Sequence, residues 1–135
     1  MAVNLIEYDV TIYPRKLWVM YKPTLDDINS NFTSEGNPLG ESQYNEFLEN
    51  SKAITCPVIE NSKSLKGCLI VLFRKPEIET IAHESVHFAD YVCQELGITT
   101  QNFDESNEHY AYLVGWCAKC MDHFYKTVRS GKGKK

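Results

Sequence analysis

The chain has no apolar run approaching the length of a membrane span, and its first residues carry no secretory leader pattern. The expectation is therefore a cytoplasmic protein that does not enter the membrane. A basic excess is also missing. Fourteen Lys and Arg stand against 18 Asp and Glu, giving a net charge of −4, which argues against nucleic acid as the main partner. There is no disulfide framework either. Five cysteines, an odd number at irregular spacing, suit reduced thiols in a cytosolic chain. No internal repeat and no linker divides the chain. Its 135 residues are enough for one domain and too few for two comfortable cores. The expected organisation is one domain over residues 1–129 with a disordered basic tail over 130–135.

What is present falls into two halves. Before residue 75 the strand signals dominate: 5–13 and 16–22 as a hairpin, then 54–60 and 67–73 as a second pair. The run Cys68–Phe73 is apolar on both faces and reads as the central strand. Thr24 is placed to cap a short helix, and 41–50 reads as another. After residue 75 the period changes to that of helices. One helix is expected from Pro76–Glu77 to a stop at Gly97. A second is expected from about Asn107 to Val128, capped by Asp104 or Ser106. The fold class is α+β, a small sheet packed on two long C-terminal helices.

The first long helix carries His83-Glu84-Ser85-Val86-His87, an H-E-x-x-H sequence. Residues four apart on a helix lie about 40° apart around the axis, so both imidazoles point the same way. Two histidines so placed can hold one Zn2+, and Glu84 beside them can reach a water on that metal. His83, Glu84, His87 and Asp90 share one polar arc, while Phe88, Ala89, Val92 and Cys93 lie on the apolar one. The competing reading is two surface histidines on a solvated face.

A catalytic zinc usually has three protein ligands. After His87 the candidates are Asp104, Glu105, Glu108, His109, Asp122 and His123. On the second long helix, Glu108, Tyr112, Gly115 and Lys119 fall on one side, and Leu113, Val114, Cys117, Met121 and Phe124 on the other. That placement favours Glu108, with His109 as the alternative. Asp90 can orient a ligand histidine, or simply cap or face solvent. Tyr112 can stabilise an oxyanion, or bond at the helix seam. The run from Cys117 and Cys120 to His123 invites a second metal reading, against which Cys117 and His123 point about 120° apart on one helix and Cys117 faces the core side. Trp18 and Trp116 read as core or rim aromatics.

The segments TIAHESVHFADYV (80–92) and NEHYAYLVGW (107–116) resemble small gluzincin-type, zincin-like metallopeptidases encoded by phages and mobile elements. Such proteins show an AHE-x-x-H-A helix followed by an E-x-x-A-Y-L-V-G helix. The resemblance covers residues 80–116 and is weaker at YPRKLWV (13–19). It implies His83 and His87 as metal ligands, Glu84 as the catalytic acid/base and Glu108 as third ligand. This chain departs from the pattern at His109, where a small residue is more usual. The implied activity is zinc-dependent hydrolysis of a peptide bond, with a protein or peptide as substrate. The alternative is a non-catalytic zinc-binding module that binds a host or regulatory protein. Nothing in the sequence defines a specificity pocket or an oligomeric state.

Overall fold

The structure, a computed structural model, describes residues 4–99 and 107–130. β1 (Leu5–Asp9) and β2 (Lys16–Tyr21) form an antiparallel hairpin. The strand expected over 5–13 ends at Asp9, because the chain turns at Thr11, whose φ of 58° leaves the extended region. α1 (Leu25–Asn31) starts at a capping box. The Thr24 side chain accepts from the Asp27 N–H, and the Asp27 carboxylate accepts from the Thr24 N–H. β3 (Phe32–Thr33) follows, then α2 (Glu41–Asn50), β4 (Ala53–Glu60) and β5 (Lys66–Leu72).

The five strands make one sheet in the order β1-β2-β5-β4-β3. β2 and β5 run parallel, and the other neighbours are antiparallel. The strand β5, apolar without alternation from Cys68 onward, sits at the centre. A Cβ on Gly67 would collide with the Lys16 carbonyl and the Trp18 ring, so glycine lets β5 lie against β2.

Both faces of the sheet are covered. Leu17, Val19, Cys68, Ile70 and Leu72 pack against α3 (Ile78–Glu95) and α4 (Glu108–Arg129). Trp18, Met20, Leu69 and Val71 face the other way, onto Ile28 of α1 and Tyr44 and Phe47 of α2. The expected sheet on two long helices is present. The layer formed by α1 and α2 is additional.

Phe88, Ala89 and Val92 of α3 are fully buried, as are Cys117, Met121 and Phe124 of α4. Burying a large apolar side chain of this kind is worth roughly 1.5–3 kcal/mol. That fixes the rotation of α3 and leaves His83, His87 and Asp90 facing outward, while Glu84 of the same arc turns inward. α3 stops where the sequence said. Gly97 adopts φ 68°, and the Ile98 N–H closes on the Cys93 carbonyl at 2.8 Å. The two long helices are antiparallel: Ser85 meets Met121, and Phe88 stacks on Trp116. Asn107, not Asp104 or Ser106, occupies the cap position of α4. Asp104 and Ser106 lie outside the described residues, as does the tail beyond Ser130. No helix among the described residues is long and apolar enough to cross a membrane.

Candidate functional site

α3 brings its two histidines together at their tips. His83 Nε2 and His87 Nε2 are 3.2 Å apart, with ring centroids at 4.8 Å and ring planes at 77°. Two imidazole nitrogens on one tetrahedral zinc, each about 2.0–2.1 Å from it, stand roughly 3.3–3.4 Å apart. The pair therefore fits two positions of such an ion. A direct hydrogen bond between the rings fits the same separation, and metal titration separates the two. Both histidines are exposed, so an ion there is reachable from solvent.

Glu84 is treated differently. It is only 5% exposed, one of three buried polar residues in the described core. Its Oε1 accepts a hydrogen bond from the Thr55 Oγ1 of β4 at 2.5 Å. Burying a carboxylate is costly without such a partner. Its charge is felt beneath the site. Burial pushes the Cys117 thiol up to about 12 and the Cys68 thiol well above the ordinary thiol range, and Glu84 adds to both. Glu84 and His83 also line one cleft of about 330 Å³ with Ser51, Lys52, Ala53, Glu79 and Thr80. Glu84, His83 and an open approach thus share one place.

Thr55 is the residue that the sequence did not reveal. Alternation along β4 puts it on the face opposite Ile54 and Cys56, but which helix residue it meets depends on packing across 29 positions.

Glu108 stands apart from the histidine pair. Among the described residues no group of three His, Cys, Asp or Glu converges as a metal site, so Glu108 is not brought to the histidines. The reason is axial. Phe88, next to His87, stacks on Trp116, and Asp90 lies near the Tyr110 hydroxyl. Glu108 is eight residues from Trp116, about 12 Å along the helix. It stands opposite the end of α3, which continues two turns past His87. Burial first and the nearby Asp90 second push the Tyr110 hydroxyl up to about 12.

Tyr112 moves with Glu108. It is 73% exposed and lines a groove with Glu108, Gly115 and Lys119, away from the His83–Glu84 cleft. It is not placed to meet an oxyanion there. His109, the alternative ligand, turns toward the β1–β2 connection, and its Nε2 is buried with no partner among the described residues. Asp122 pairs with Lys126 at 2.9 Å, and His123 Nδ1 lies 2.7 Å from the Tyr8 hydroxyl. Cys117 and Cys120 are buried free thiols. Asp104 and Glu105 lie outside the described residues.

Compared with protein-family models, curated proteins and solved structures, the chain finds no match.

Proposed function

We propose that this chain is a zinc-dependent peptidase whose metal is held by His83 and His87 and whose acid/base is Glu84. One observation carries the reading. The two Nε2 atoms converge to 3.2 Å, and one of the two histidines, His83, lines the same cleft as the buried Glu84. The donor chemistry suits zinc, a borderline-soft ion that imidazole binds well. When bound, zinc supplies Lewis acidity toward a scissile carbonyl and lowers the pKa of water.

The chain's own residues supply the rest. Thr55 ties Glu84 through Oε1, which assigns Oε2 to the proton. Glu84 takes that proton from the attacking water and returns it to the leaving amine. Fixing the carboxylate beforehand spares the reaction the cost of orienting it. The substrate is a protein or peptide, and the open cleft admits it from solvent.

A second reading is a zinc-binding module that binds a partner without cleaving it. Glu108 and Tyr112 favour it, because both lie outside the cleft where a complete hydrolytic site would use them. Metal analysis of the purified chain tests both readings. About one zinc per chain, lost in the His83→Ala/His87→Ala variant, is expected. Equal metal content in that variant would place the ion elsewhere.

A further inference from the structure

β4 has an unused edge next to this cleft. Pro57 shows which residues point outward. Its carbonyl accepts a hydrogen bond from the Ser34 hydroxyl at 3.2 Å, on the β3 side. A proline, lacking an N–H, belongs on such an edge. The even-numbered residues point inward: Lys52 O accepts from Phe73 N at 3.0 Å, and Glu60 N donates to Leu65 O at 2.8 Å. Ala53 and Thr55 share the outward parity of Pro57. β3 pairs only with Ile59 and Glu60. The outward backbone groups of Ala53 and Thr55 therefore face no strand among the described residues.

Each face of that edge leads to a different feature. The Thr55 side chain reaches Glu84 on the α3 face. Ile54, Cys56 and Val58 alternate to the opposite face, where with Ile28, Leu39 and Phe47 they line a pocket of about 360 Å³. The pocket is mostly apolar and lies within the size range of small binding cavities. Unpaired backbone groups and an apolar pocket on one strand suit an extended chain bearing an apolar side chain.

We infer that this pocket is a side-chain subsite: an extended peptide pairs with Ala53 and Thr55 and places an aliphatic or aromatic residue between α1, α2 and β4. Residues opposite one another across a sheet share a face, and their neighbours take the other. The peptide residue opposite Thr55 thus faces Glu84, and the residue next to it enters the pocket. The subsite selects an apolar side chain one position from the residue at the catalytic cleft. This rests on the peptidase reading for the identity of the peptide as substrate.

Cys56 makes the pocket readable without turnover. It lines the pocket, and it is half-buried where the other four cysteines are buried. The test is alkylation of Cys56 by N-ethylmaleimide in the full-length Glu84→Gln variant, followed by peptide mapping. The probe is a blocked pentapeptide of alternating alanine and phenylalanine. At ten times its Kd it should slow alkylation about tenfold, since only the unoccupied fraction reacts. Replacing phenylalanine by glutamate, or methylating the backbone nitrogens that face the edge, should abolish that protection. No slowing by any apolar peptide overturns the inference. So does equal protection by N-acetylphenylalanine amide and by the methylated peptide, which would make the pocket a small-molecule site independent of the edge. Hydrolysis by the parent without protection of Cys56 removes the subsite alone. Protection without hydrolysis by the parent supports the pocket and removes the peptidase reading instead.

Discussion

The Thr55 hydroxyl holds the Glu84 carboxylate at 2.5 Å across the interface between β4 and α3. A strand residue thus fixes the one buried acid of the helix that carries both histidines. Thr55→Val keeps the shape and removes the donor. A hydrogen bond to a charged group is worth about 1.5–3 kcal/mol, so turnover should fall roughly tenfold or more and the midpoint of thermal unfolding should drop. Zinc content should not change. Thr55→Ser should restore most of the turnover. A Thr55→Val variant with parental kinetics would leave Thr55 with no part in positioning.

Metal should stabilise the fold through α3 alone. Zinc at 100 times its Kd adds about 2.7 kcal/mol if only the folded chain binds it. Thermal unfolding with and without chelator should therefore separate in the parent and coincide in His83→Ala/His87→Ala. A chelator effect of equal size in that variant would contradict the assignment.

Glu108→Gln should leave zinc affinity close to that of the parent, because among the described residues Glu108 does not join His83 and His87 in a group able to hold a metal. Isothermal titration decides the point. A loss of tenfold or more in affinity would show that the first turn of α4 reaches the metal.

Alkaline pH should destabilise the chain through its thiols. Burial raises Cys56 and Cys120 from 9.0 to about 11 and Cys117 to about 12. In the folded state these groups keep their protons, while in the unfolded state they lose them near pH 9. The stabilisation is complete below about pH 9 and is lost as pH rises toward 11–12. Denaturant titrations at pH 8 and 10.5 should show lower stability at the higher pH, with a smaller drop in Cys117→Ala. An unchanged pH dependence in Cys117→Ala would remove that thiol from the cause.

Local features were readable from the sequence. The shared side of His83 and His87 followed from a period of 3.6, the stop at Gly97 from its tolerance of positive φ, and the central place of β5 from its apolar run from Cys68 onward. β3 left no signal, because two residues carry no period. Glu108 marks the limit of helical-wheel reasoning. A wheel gives the angle of a side chain, not its height. Height depends on where α3 ends and on which turn of α4 packs against it. Thr55 was hidden for a related reason, since sheet register and helix packing together decide its contact with Glu84.

The most direct measurement is zinc content and peptide hydrolysis of Glu84→Gln beside the parent, using a mixed peptide library. Both proteins should carry about one zinc per chain, and the variant should turn over roughly a hundredfold or more slowly, the scale of lost acid–base catalysis. Glu84→Gln that keeps its zinc and cleaves as fast as the parent, or a zinc-loaded parent that cleaves nothing across the library, would contradict the assignment of Glu84 as the acid/base of a peptidase.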